Sequence, residues 1–243
     1  MAVSGPVDRG LRRLSTPRAA AFAGVLFALL FGTALVLMRL SLPADAELGS
    51  QWVDGPGQRL RVAVVLMPFA GIAFLWFIGV VRDGLGELED RFFSSVFLGS
   101  GLLFLGMIFT STSVGAGLLA SREMVLHADT RTEVVAFAQG LLLALSNTYA
   151  LRMAAVFMIS LATIWLKTRL MPRWLVIVSY VMALSVLVAS DVNMWMTVMF
   201  PVWVLVVSLV MLSRAGVIDL PGRDDDGPEV SPRPDSARPT DTV

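Results

Sequence analysis

The stretch Ala19–Met38 reads AAAFAGVLFALLFGTALVLM and holds no charged side chain. A helix rises 1.5 Å per residue, so about 20 apolar residues cross a hydrocarbon core of about 30 Å. Apolar groups point to every side of such a helix, as expected when its surroundings are lipid or protein rather than water. Arg9, Arg12, Arg13 and Arg18 precede it and Arg39 follows it. The later Ala44-Asp45-Ala46 has the small-x-small form of a leader cleavage site. However, the apolar run exceeds the 7–15 residues of a leader, and Arg39 interrupts the approach, so a retained membrane anchor is expected.

Working outward, five further stretches have the same character. The six spans are read as about 19–38, 62–81, 92–120, 134–166, 174–190 and 193–212. The last two form a tight hairpin around Asp191. The predicted fold class is all-α, a polytopic integral membrane bundle of six transmembrane helices. Residues 1–18 are read as a basic cytoplasmic arm, 19–213 as the transmembrane domain and 214–243 as a disordered acidic, proline-rich cytoplasmic tail. That tail carries Pro221, Pro228, Pro232, Pro234, Pro239 and the run Asp224-Asp225-Asp226, with few groups able to build a core.

Arginine placement predicts the orientation, because basic residues favour the cytoplasmic side. With both termini inside, that side holds Arg9, Arg12, Arg13, Arg18, Arg82, Arg91, Lys167, Arg169, Arg173 and Arg214. The outer side holds only Arg39, Arg59, Arg61, Arg122 and Arg131. The general character resembles bacterial multi-pass membrane proteins, which implies the cytoplasmic (inner) membrane of a bacterium.

The composition agrees. Of 243 residues, 56% are hydrophobic and 16% charged, against about 45–50% and about 25% in a soluble domain. Nineteen basic and nineteen acidic residues cancel, leaving no basic field to recruit nucleic acid. With no cysteine and one histidine, thiolate metal sites are excluded and acid–base chemistry has few agents. His127, with Glu123 and Asp129 nearby, reads as a surface residue rather than a metal ligand. No metal and no cofactor is expected, and the reading leans away from an enzyme.

The connector Gly79-Val80-Val81-Arg82-Asp83-Gly84-Leu85-Gly86 resembles the loop between the second and third helices of major-facilitator transporters. It departs from that motif where Glu87 and Glu89 replace the terminal basic residues, and the chain has half the helices of that family. No residue role is carried over.

Two stripes of small residues stand out. Ala20, Gly24, Ala28 and Gly32 recur every four residues in the first span; Ser95, Gly99, Gly106, Thr110, Ser113 and Gly117 share a face of the third. Helices in lipid associate by close backbone approach over small side chains. Packing within the bundle is the plainer expectation, and a homodimer seam the sharper one. Beyond the lipid bilayer, a second copy or another membrane protein is the expected partner.

Polar groups are sparse. Arg152 lies roughly 22 Å from Lys167 along the fourth span, in the outer half of the membrane. Thr148 and Tyr149 are four and three residues before it, beside Asn147, and Asp191 falls at similar depth. This set reads as a candidate polar intramembrane site, with an arginine that snorkels or staples helices as the simpler alternative. The fourth span, about 33 residues, would reach roughly 50 Å as one straight helix. It therefore either projects beyond the membrane or breaks near Ser146-Asn147-Thr148. Pro68 and Pro201 are expected to kink their helices. The run Thr110-Ser111-Thr112-Ser113 is expected to bond back to its own backbone. Taken together, the reading is a non-enzymatic membrane component packing through small-residue faces. The alternative is a small transporter or channel with a polar cavity around Arg152 and Asp191.

Overall fold

The computed structural model describes residues 6–41, 57–85, 91–121, 128–189 and 196–214, and every element among them is helical. Helix α1 spans Pro6–Ser41, α2 Gln58–Leu85, α3 Arg91–Ser121 and α4 Ala128–Leu143. A π-helical stretch, Ala144–Ala150, joins α4 to α5, Leu151–Thr168. Helices α6, Arg173–Ala189, and α7, Met196–Arg214, complete the chain. Five of the helical segments are long and apolar enough to cross a membrane: 18–41, 58–83, 92–121, 133–168 and 196–214. The shorter 173–188 is a sixth apolar helix, at the lower end of the usual spanning range of about 17–25 residues. Asp191, the tail beyond Arg214 and His127 lie outside the described residues.

The helices form where apolar runs meet no breaker, and they stop where the backbone requires it. α5 ends as Arg169 turns into the left-handed region at φ 53°, and Pro172 then prevents its continuation. α1 begins at Pro6, whose missing N–H costs nothing in a first turn. Arg9, Arg12 and Arg13 lie on the part of α1 that precedes the apolar run.

Each helix packs on its neighbours around a closed ring. α1 lies against α2 and α7, α2 against α3, α3 against the α4–π–α5 segment, α5 against α6, and α6 against α7. α1 and α7 are antiparallel: Gly24 meets Ser208, Gly32 approaches Pro201, and Arg39 meets Thr197. The ends carrying Arg18 and Arg214 thus share one end of the bundle.

Phenylalanine fills the middle. Phe74 of α2 lies 4.6 Å from Phe27 (α1), 5.5 Å from Phe104 (α3), 5.3 Å from Phe157 (α5) and 5.8 Å from Phe200 (α7), centroid to centroid. All five rings are almost wholly buried. Edge-on and tilted pairs of this kind add about 0.5–1.5 kcal/mol each beyond their area. Toward the Arg214 end, Trp203 donates from Nε1 to Ser179 Oγ at 2.8 Å, fastening α7 to α6. Thr163 and Tyr180 share a 2.7 Å bond between α5 and α6. The outward faces are apolar too, with Phe22, Leu29, Phe69, Trp76, Leu103, Val181 and Val188 all more than half exposed. Such a surface is suited to hydrocarbon as its solvent.

The long fourth span is continuous. It does not break at Ser146-Asn147-Thr148; it widens there into the π stretch, with both flanking residues, Leu143 and Leu151, in ordinary right-handed helical conformation. A π turn accommodates an extra residue and turns the following side chains to a new azimuth.

Candidate functional site

The most polar point of the interior lies at the end of the bundle away from Arg18 and Arg214. Arg39, near the end of α1, is 6% exposed, and no other charged side chain is buried among the described residues. Its guanidinium Nη2 donates to Asn147 Oδ1 of the π stretch and, at 3.4 Å, to Thr197 Oγ1 in the first turn of α7. Three elements distant in sequence therefore meet on one side chain. Ser146 adds a hydroxyl 3.3 Å from the same Asn147 oxygen.

The local sequence makes this meeting possible. Arg39 terminates the apolar run of α1, so its position is set by the length of the first span. Asn147 sits in the middle of the π stretch, where the widened turn presents it to α1. Ser111 of α3 supports that stretch by donating to the Leu142 carbonyl at 3.0 Å, an acceptor at the entry to the irregular backbone. A hydrogen bond to such a group matters because lipid offers no alternative partner.

Burial in a low-dielectric surrounding disfavours an isolated charge by several kcal/mol. The Arg39 bonds are to neutral acceptors, and among the described residues no carboxylate pairs with it. This electrostatic feature was not singled out from the sequence. The signal available was Arg39 itself, an arginine closing an apolar run, but its position equally suited a side chain reaching water.

The sequence-predicted polar set divides. Asn147 joins Arg39. Arg152 is half-buried and donates from Nη1 to the Thr148 carbonyl of its own helix at 3.0 Å. Tyr149 is 56% exposed and points away from the interior. Of the hydroxyl run, Thr110, Thr112 and Ser113 bond to the carbonyls of Gly106, Ile108 and Phe109, whereas Ser111 reaches across to α4. Among the described residues no group of three or more His, Cys, Asp or Glu side chains is placed to hold a metal ion.

The two small-residue stripes also divide. On α1, Ala20 and Ala28 are buried, and a methyl on Gly24 would come within 2.0 Å of Ser208 Oγ and 2.8 Å of Phe77. Gly32 has Pro201 at 4.0 Å from the position of an added Cβ. This stripe is where α7 and α2 approach α1. On α3, Ser95, Gly106, Thr110, Ser113 and Gly117 are exposed, and an added methyl at Gly99, Gly106 or Gly117 would meet nothing within 4 Å. The α3 stripe faces away from the bundle. Glycines outside both stripes serve the contacts of α3: Gly71 of α2 receives the Phe109 ring, and Gly101 lies against Ile78 and Phe157.

Compared with protein-family models, curated proteins and solved structures, the chain matches none.

Proposed function

We propose that this chain is a six-span membrane protein with both termini in the cytoplasm, acting as a non-enzymatic membrane component that self-associates through the outward face of α3. The observation that carries the reading is the outward stripe of Gly99, Gly106, Thr110, Ser113 and Gly117, which no other part of the chain covers among the described residues. In lipid, such a face favours close approach by a second helix, and the partner to which we assign it is a second copy.

Two further features support the reading. Antiparallel α1 and α7 fit an even number of crossings between them, which supports a reading of six spans, with α6 among them, over five. The arginine distribution then favours the Arg18 and Arg214 end as the cytoplasmic one. The general likeness to bacterial multi-pass proteins favours a bacterial inner membrane. The central phenylalanine layer weighs against the transporter or channel alternative, since its five rings are almost wholly buried against one another.

Because the natural chain has no cysteine, single substitutions report cleanly. In native membranes, Gly106→Cys and Ser113→Cys should form disulfide-linked dimers on mild oxidation, while Ile72→Cys on the outer face of α2 should not. Adding Gly106→Leu to Ser113→Cys should reduce the dimer severalfold. Equal cross-linking at all three positions, or none at either α3 position, would refute the α3 face as the seam.

A further inference from the structure

We infer that the turn between α5 and α6 is a docking surface for an acidic phospholipid, with Arg169, Arg173 and Arg214 at its phosphate and the outward face of α6 along its acyl chains. This goes beyond the association face of α3 and does not depend on it. The turn is short and fixed at both sides. Arg169 adopts the left-handed conformation that stops α5. Pro172 prevents continuation, and its carbonyl accepts from the Leu175 N–H at 3.0 Å as α6 begins. Arg214, the last residue of α7, donates from Nη1 to the Leu170 carbonyl. That bond brings a third arginine, 44 positions away in sequence from its acceptor, to the same turn. All three side chains are exposed, so they stand where headgroups reach them and the site requires no buried charge.

The face of α6 that leaves this turn supplies the other half of the match. Trp174, Ile177, Val181, Leu184 and Val188 recur at alternating spacings of three and four, so they share one side of the helix. Each is more than half exposed. One leaflet of hydrocarbon is about 15 Å deep, half of a core of about 30 Å, which is about ten residues of helix and reaches from Trp174 to Leu184. Trp174 directly follows Arg173, and an indole ring favours the headgroup level. A guanidinium presents a planar fork of donors that matches two phosphate oxygens, and basic residues at a membrane surface attract acidic lipids. A soluble anion would use the arginines and leave the apolar face idle. A phospholipid uses both.

The full chain would be melted in phosphatidylcholine nanodiscs with increasing fractions of phosphatidylglycerol. It would also be melted in detergent with sodium phosphate against sodium chloride of equal ionic strength. The wild type should melt several degrees higher in the phosphatidylglycerol discs, with a gain that saturates as the lipid fraction rises and shrinks at high salt. The double variant Arg169→Gln/Arg173→Gln should lose most of that gain. Arg59→Gln/Arg61→Gln removes the same charge from exposed arginines at the other end of the bundle and should keep it, which separates a site from an effect of net charge. If the first double variant does not fold, Arg173→Gln alone should retain fewer phosphatidylglycerol molecules per chain than the wild type in native mass spectrometry. No gain in the wild type, the result if acidic residues elsewhere in the chain already neutralise these arginines, would overturn the assignment. So would equal losses in the two double variants, undiminished lipid retention in Arg173→Gln, or an equal gain from phosphate in detergent.

Discussion

Gly24 and Gly106 look alike in the sequence, each a glycine in an apolar run, each in register with small neighbours four residues away. Their surroundings are opposite. A methyl on Gly24 collides with Ser208 and Phe77, whereas one on Gly106 meets nothing within 4 Å. Gly24→Ala should therefore destabilise the bundle by about 1–3 kcal/mol, the usual cost of overpacking. Gly106→Ala should leave the monomer unchanged or slightly more stable, since alanine is the better helix former. Thermal unfolding in detergent measures both. Ser208 is informative as well, because its hydroxyl is buried without a hydrogen-bond partner among the described residues. Removing an unsatisfied group is close to neutral or favourable, so Ser208→Ala should be tolerated and should soften the Gly24→Ala defect. A Gly24→Ala protein as stable as the wild type would contradict the tight α1–α7 approach.

At the scale of elements, the notable feature is a long helix that changes its turn without stopping. In the sequence, the length of the 134–166 stretch pointed to something irregular, and Ser146-Asn147-Thr148 marked the place. Periodicity could not distinguish a break from a widening, because that depends on whether neighbouring helices satisfy the displaced backbone. Ser111 does so from α3 through its bond to the Leu142 carbonyl. Ser111→Ala should cost about 0.6 kcal/mol, and at most about 1.7 kcal/mol, the range for interhelical hydrogen bonds in membranes. Thr110→Ala and Ser113→Ala should cost less, since those hydroxyls bond only within α3. Equal losses at all three positions would separate the π stretch from its support by α3.

For the whole molecule, the antiparallel contact of α1 with α7 closes the ring and brings both ends of the described chain to one side. Labelling intact cells with a membrane-impermeant thiol reagent tests this directly. Ser50→Cys should label in intact cells, while Ser4→Cys and Ser236→Cys should label only after permeabilisation. Labelling of one terminus but not the other would require an odd number of crossings, in conflict with the α1–α7 packing. The aromatic layer belongs to this scale too. Phe27, Phe74, Phe104, Phe157 and Phe200 come from five helices, and nothing in any one helix marks its phenylalanine as inward, since Phe22 and Phe69 on the same helices are exposed.

The membrane-compatible composition, the positions of the apolar helices and the irregularity near Asn147 were all determined by the sequence alone. They follow from chain length, charge and hydropathy, which act locally and can be read without knowing any neighbour. Which face of each helix turns inward was decided by tertiary structure. In a soluble protein water sorts the faces, but in these helices both faces are apolar, so the sorting falls to shape: Gly24 inward against Ser208, Gly106 outward, Gly71 hollowed for Phe109. The meeting of Arg39 with Asn147 and Thr197 has the same origin, because residues 108 and 158 positions apart become neighbours only when the ring closes.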